Sequence, residues 1–244
     1  MIQLKDINLS FSNKNNHKEV VFKDFNLEIK EHLVTSIIGS SGVGKTTLMN
    51  IIAGYIKPNS GTVLLNGKLA NVPGKNRVVI NQENDLFEWM TVLENLQIVS
   101  NDSNKIKEFL KMAKLSAYSG DYPKELSGGM RKRLSIIRGF VSDAECILMD
   151  EPFGSLDMVT KQNLLEQLLT IIKATNKTII LITHDIDESI YLSDEIVILA
   201  DRPTKIVKRY EIPTELHHHI KTPDTADFLE LRNSLKSAIF RSSD

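Results

Sequence analysis

Residues 39 to 47, GSSGVGKTT, place three glycines within six residues and follow them with Lys45, Thr46 and Thr47. Helices and strands lose stability with so many glycines, whereas a loop that must turn its backbone N–H groups inward needs them. Gly39, Gly44, Lys45 and Thr46 match G-x-x-x-x-G-K-[ST], and Ser40, Ser41, Gly42 and Val43 complete the loop between them. The flanks suit the motif: residues 34–38 read as a short apolar strand and residues 48–53 as the helix behind the loop. A helix beginning near Lys45 adds the positive end of its dipole. That chemistry is phosphate binding, with Lys45 reaching the β- and γ-phosphates of a nucleotide and the Thr46 hydroxyl ligating Mg²⁺.

A second group is acidic. Asp150 ends the apolar run CILM, where an unpaired carboxylate would be costly, and a magnesium ion at the strand end explains it. Glu151 beside it is placed to polarise a water, and a positioned general base is worth ~10²–10⁴ in rate. The plainer reading of Glu151 is a solvated loop acid. Four apolar runs stop in the same manner: 36–38 at Gly39, 78–81 at Gln82, 147–149 at Asp150 and Glu151, and 179–183 at His184. Open parallel sheets bind ligands beyond the carboxyl ends of their strands, so these residues would meet over one ligand if the strands are neighbours.

The rest of the chain must hold them there. With 244 residues and 41% hydrophobic side chains, the chain can bury a substantial core as one large domain. Thirty basic and 31 acidic residues leave a net charge of −1, which argues against broad nucleic-acid binding. One cysteine, Cys146, permits no intrachain disulfide and reads as a small core residue. The N-terminus alternates like a strand rather than a signal peptide, and no apolar run approaches the ~20 residues of a membrane span.

Residues 2–11 and 20–29 read as strands joined by the polar turn SNKNNHK, and TVLLNGK and RVVINQ as further strands. Residues 92–118 read as helix, and LSGGMRKRLSIIRGF as a helix from Ser127, a good N-cap whose helix points its dipole at an anion. CILMDE, TIILITH and DEIVILAD are strands, and 158–173 and 225–240 are helices. An inserted helical block near 83–140 precedes alternating strand and helix, which implies a parallel sheet flanked by helices. No internal repeat stands out.

Together with LSGGMRKR at 126–133, Gln82, ILMDEP, SLD at 155–157 and His184, in that order, the glycine loop makes the chain resemble the nucleotide-binding subunits of ABC transporters over nearly its whole length. The resemblance implies an α/β fold: a P-loop NTPase, RecA-like parallel-sheet core with an N-terminal antiparallel β subdomain and an inserted α-helical subdomain, all within a single nucleotide-binding domain of residues 1–244. It implies two ATP molecules sandwiched in a head-to-tail dimer, with Lys45, Thr46, Gln82, Asp150, Glu151 and His184 of one chain facing Ser127, Gly128 and Gly129 of the other. Gln82 joins Thr46 and Asp150 on the Mg²⁺, His184 contacts the γ-phosphate and Asp157 links the two sites. Phe11 matches the aromatic that stacks on adenine; an ordinary core phenylalanine is the alternative.

GGM, DEPFGSLD, THDIDESIYLSDEIVIL and RPTKI are similar to the ATPases of the nitrate, sulfonate and taurine uptake group, which includes importers of vitamin precursors. That resemblance implies a separate membrane permease, an extracytoplasmic solute-binding protein that acts indirectly, no nucleic acid, and a peripheral place on the cytoplasmic face of the cell membrane. The chain departs from the group at Glu88, where proline is usual, at SIIRGF, where small alanines are usual, and in a helical block shorter by a turn or more. Phe87 and Trp89 are expected to dock the permease, or else to plug the base of the helical block. A non-transport ATPase of the same superfamily, acting on nucleic acid or ribosomes, is the competing function; heptads and long insertions are absent. A regulator that binds ATP without turnover is disfavoured by Glu151 and His184. His217, His218 and His219 read as a solvated loop, because the spacing of a metal site is missing. Arg131, Lys132 and Arg133 read as a helix face near a subunit contact.

Overall fold

The structure is a computed structural model that describes residues 1–12, 18–83, 85–154, 156–213 and 225–241. The polar turn at 13–17, Ser155, the triplet His217, His218 and His219, and Pro223 lie outside the described residues. The elements run β1 (Ile2–Ser12), β2 (Lys18–Ile29), β3 (Val34–Gly39), α1 (Lys45–Ala53), β4 (Ser60–Leu65), β5 (Lys68–Leu69), β6 (Arg77–Ile80), α2 (Val92–Gln97), α3 (Ser103–Met112), α4 (Gly128–Val141), β7 (Cys146–Asp150), α5 (Met158–Lys173), β8 (Thr178–Ile182), α6 (Ile186–Leu192), β9 (Glu195–Ala200), β10 (Lys205–Glu211) and α7 (Ala226–Arg241). They form two compact units, one of residues 1–74 with 178–244 and one of residues 75–177.

The discontinuous unit carries two sheets. An antiparallel sheet runs β2-β1-β4-β5, with Ile2 opposite both Ile29 and Leu65. β1 and β2 each carry Lys-Asp-x-Asn-Leu, at 5–9 and 23–27, a short echo of one another. At these places both strands bulge, with Asp6 and Asp24 in the left-handed region (φ 51 and 48), which Asp tolerates better than most residues. The Asn8 carboxamide bonds across to Asp24 and that of Asn26 to Asp6, so each bulge is held by its twin.

The second sheet of this unit runs β10-β9-β3-β8. β3 is central, parallel to β8 on one side and to β9 on the other, and every residue of 34–38 is buried. Its continuous apolar reading follows from burial on both faces. Ile38, Ile196, Ile198, Ile190, Phe228 and Leu235 close one side of it, so the apolar stripe of α7 is spent on covering β9 and α6. The sequence reading had no separate element for α6, which Asp185 caps by accepting from the backbone N–H groups of Asp187 and Glu188.

In the continuous unit, β6 and β7 pair in parallel from Arg77–Cys146 to Ile80–Met149. The single helix read over 92–118 is corrected to two helices and a 3-10 turn at Ser116–Tyr118. Thr91 opens α2 with a capping box to Glu94, and Asp102 recaps the chain for α3 by accepting from Asn104 and Lys105. Polar residues 100–104 favour such local bonds over a continuous helix. α4 explains the SIIRGF departure: Ser135, Ile136, Ile137 and Phe140 are buried, and a Cβ on Gly139 would sit 2.8 Å from the Ile80 side chain. α5 spans Met158–Lys173, as read.

Candidate nucleotide-binding site

The glycine loop leaves β3 at Gly39 because nothing larger fits. A Cβ there would lie 2.3 Å from the Leu199 carbonyl oxygen on the neighbouring β9. Gly42 and Gly44 then turn the chain with φ of 81 and 110, values that suit glycine. Gly44 is the N-cap of α1, and it also lies close to Val21 and Phe22. α1 has no side-chain cap and no acidic residue in its first turn. A helix that begins this way can receive an anion at its first-turn amides and the positive end of its dipole.

Lys45 is buried at the start of α1, and its ammonium donates to the carbonyls of Gly39 and Ser40 at 2.8 and 2.9 Å. Those bonds curl the side chain back over the loop. Thr46 is exposed and Thr47 half-buried. Two residues that the sequence reading did not assign hold the loop from behind. Arg202 donates to the Gly42 carbonyl at 2.7 Å and pairs with Glu19, and the Thr204 hydroxyl donates to the Val43 carbonyl. Their only signal in the sequence was the RPT stretch after β9, too distant from residue 42 for spacing to connect them.

Phe11, the last residue but one of β1, is 44% exposed, which corrects the alternative of a core phenylalanine and leaves its ring available for stacking. His184 is exposed just past β8, and the turn that carries it is braced by contacts of the Thr183 hydroxyl with Glu188 and the Asp185 N–H.

In the continuous unit, Asp150 and Glu151 are half-buried at the end of β7. Glu151 has φ 44, a left-handed conformation that costs a residue with a Cβ ~1–2 kcal/mol. Strain of that kind gathers at working positions. Gln82 follows β6, and its amide nitrogen would be 3.1 Å from a Cβ on Gly154, in the turn that Glu151 begins. Lys132, 3% exposed, donates to the carbonyls of Asn81 and Gln82, each at 2.9 Å. Burial lowers its ammonium to about 8, with the Asp85 carboxylate opposing the shift.

Ser127 caps α4 by accepting from the Met130 N–H, so the helix starts at Gly128 as the sequence predicts. Ser127, Gly128 and Gly129 line a cleft of about 550 Å³ together with Asp157, Thr160 and Arg133. A Cβ on Gly129 would meet the Thr160 methyl at 2.7 Å, so glycine there lets α4 approach α5. Asp157 caps α5, and its bonds to Thr160 hold its carboxyl below the usual range. The structure thus gives Asp157 a local helix-capping role that the resemblance did not mention.

Thr46 in the discontinuous unit offers a hydroxyl, and Asp150 and Gln82 in the continuous unit a carboxylate and an amide oxygen, each a hard donor of the kind Mg²⁺ prefers. Lys45 and the α1 amides fit the phosphates it would accompany.

The family model described as ABC transporter matches residues 22–154. The taurine import ATP-binding protein of Pelagibacter ubique is 37% identical over 217 residues, covering 86% of this chain and 82% of its own. The aliphatic sulfonates import ATP-binding protein of Bacillus cereus strain ZK is 38% identical over 215 residues, covering 86% and 85%. Among solved structures, a dimeric ATP-binding cassette in a post-hydrolysis state with ADP and Pi superposes with TM-score 0.74 at 27% identity, over 87% of this chain and 99% of that one. A family match that runs from β2 to the turn beyond β7, and relatives that pair with most of both chains, establish that this protein belongs to the ABC transporter family.

Proposed function

We propose that the chain is the ATP-hydrolysing subunit of an importer for a small solute of the sulfonate, taurine or nitrate kind, or a vitamin precursor, working on a separate permease. The family makes it an ATPase, and relatives named for taurine, aliphatic sulfonate and nitrate import support the solute class. The observation that carries the reading is the loop from Gly39 to Thr47, with Lys45 folded over it and α1 left without a cap.

In this reading the amides of 40–47 and Lys45 bind the phosphates and Phe11 stacks on adenine. Thr46, Asp150 and Gln82 would hold Mg²⁺, which would supply charge neutralisation to the phosphates. Glu151 takes a proton from the attacking water, and His184 donates to the γ-phosphate. Ser127, Gly128 and Gly129 serve the nucleotide of a second copy, and Asp157 joins the two sites. Lining of one cleft by these four residues, and a dimeric neighbour, support that arrangement. Among the described residues no helix is long and apolar enough to cross a membrane. In this reading the subunit reaches the cytoplasmic face through the permease that importer relatives imply, with the solute-binding protein acting from the other side.

The test combines turnover with sedimentation. Lys45→Ala should lose nucleotide binding or turnover. Glu151→Gln should bind ATP, turn over at least ~100-fold more slowly, and sediment as a dimer with ATP. Ser127→Arg added to it should return the monomer. Parental turnover by Glu151→Gln would remove the general-base assignment, and a monomer under every ATP condition would remove the dimer.

A further inference from the structure

Lys132 is a buried cation that the family reading leaves without a task. It sits on α4, between one and two turns beyond the Ser127 cap, with its ammonium 2.9 Å from both the Asn81 and the Gln82 carbonyls. Those two residues lie just past the last paired position of β6, Ile80 opposite Met149. They therefore leave the ladder where its register ends. The Asn81 side chain turns to Asp85. On the far side, the Gln82 amide passes close over Gly154, where a Cβ would stand 3.1 Å from its nitrogen. The stretch is thus held from behind by one ammonium and bounded in front by the turn of Glu151.

We propose that Lys132 is a positioning residue for ATP hydrolysis: by fixing the backbone of Asn81 and Gln82, it sets where the Gln82 amide is presented. Lys132 touches neither nucleotide nor metal; it acts through Gln82. The proposal rests on the assignment of Gln82 to the Mg²⁺ and γ-phosphate set. It also gives α4 two tasks on one rigid body. Its N-terminus carries the Ser127 cap, which serves the nucleotide of a second copy, and its interior holds Gln82, which serves this chain's own nucleotide. A shift of α4 along its axis would move both together.

The experiment is a double-mutant cycle of Lys132→Met and Gln82→Ala in the full chain. Readouts are kcat, the half-saturating Mg²⁺ concentration, binding of a fluorescent ATP analogue in EDTA, and the melting temperature. Lys132→Met should lower kcat between about 10- and 100-fold, the loss expected of a ~1 Å misplacement. It should raise the Mg²⁺ requirement and leave metal-free nucleotide binding unchanged. In the Gln82→Ala background the same substitution should change kcat by less than about two-fold, because the group it positions is gone. Equal losses in both backgrounds would overturn the proposal and make Lys132 a packing residue. A silent Gln82→Ala would instead overturn the assignment of Gln82 and leave the Lys132 bonds as scaffold. If Lys132→Met fails to fold, Lys132→Gln, which keeps N–H donors on a shorter stem, runs the same cycle. An intermediate loss that vanishes without Gln82 supports positioning, and an undiminished one refutes it.

Discussion

Gly39→Ala isolates the reason for the first glycine of the loop. The added Cβ would stand 2.3 Å from the Leu199 carbonyl oxygen and 3.2 Å from a Val43 methyl. Ordinary contact lies near 3.5 Å, so either β9 or the loop must give way by about 1 Å. β9 is buried throughout and bonded on both sides, to β3 and to β10. The loop is the softer partner, although Arg202 and Thr204 resist from behind. Overpacking of this kind costs about 1–3 kcal/mol. At about 2–4 °C per kcal/mol for a chain of this size, the melting temperature should fall by roughly 2–12 °C. A displacement of ~1 Å at the phosphates should lower kcat/KM on the order of 100-fold. Gly42→Ala is the matched comparison, because its Cβ would meet nothing within 4 Å and only its φ of 81 opposes the change. That variant should lose about 1 kcal/mol or less, since the alanine also restricts the unfolded chain. Thermal melts and steady-state hydrolysis of the two variants decide the matter. A Gly39→Ala protein with parental melting temperature and turnover, or a Gly42→Ala protein that suffers as much, would refute the close-approach argument.

Asn95 is buried and makes four bonds to the 87–91 segment, accepting from the Phe87 N–H and donating to the Phe87, Met90 and Thr91 carbonyls. Asn95→Ala should therefore cost at least about 2 kcal/mol and raise the mobility of Trp89, read as a drop in the anisotropy of the chain's one tryptophan; an unchanged melt and anisotropy would contradict it. Trp89 is 72% exposed, packed edge-on against Phe87, whose ring carries the Arg138 guanidinium. Acrylamide should quench it freely in the isolated subunit and poorly in the assembled transporter, and Trp89→Ala should spare basal ATPase while losing the stimulation by loaded binding protein; equal quenching in both states would send the permease elsewhere. Burial pushes the Cys146 thiol up to about 12, so a disulfide reagent at pH 8 should label it only as fast as the chain unfolds. Its folded value lies above its unfolded one, so the stability it contributes is complete below about pH 9 and declines from there towards pH 12. Cys146→Ala should flatten the loss of stability over that range, and rapid labelling of the native protein would show the thiol to be accessible.

What the sequence made legible was local and periodic. The four apolar runs that stop abruptly are strands whose ends fall within one residue of the expected place, and α5 was read from Met158 to Lys173 without error. Ser127 could be read as a cap because capping is chemistry within three residues. The break between α2 and α3 was missed because 92–118 keeps its apolar spacing while residues 100–104 recap the helix. Arg202 and Thr204 were illegible for a different reason. Their bonds to 42 and 43 span 160 and 161 positions, and no local pattern records such a contact. The Lys132 bonds belong to the same class: RKR could be read as a helix face, but not as a cation turned inward. Phe87 and Trp89 had two readings, and the exposure of Trp89 favours a docking surface over a plug.

The position of β3 in its sheet has a consequence for the nascent chain. Its two neighbours are β8 and β9, which begin at Thr178 and Glu195. The antiparallel ladder of β1, β2 and β4 is complete within the first 65 residues. The unit of residues 75–177 is continuous and can collapse as soon as it is made. β3, buried on both faces in the finished protein, must wait. Residue 199, which packs on Gly39, is 160 positions later. At ~5–20 residues per second that interval is roughly 8–32 seconds of synthesis. Until β8 is made, the strand that will hold the phosphate loop has two unpaired apolar edges, and until β9 follows it still has one, open to non-native pairing. The strand behind the phosphate loop, made early, is thus among the last parts of the site to be enclosed, and a ribosome-bound chain stopped before β9 should need a chaperone to stay soluble.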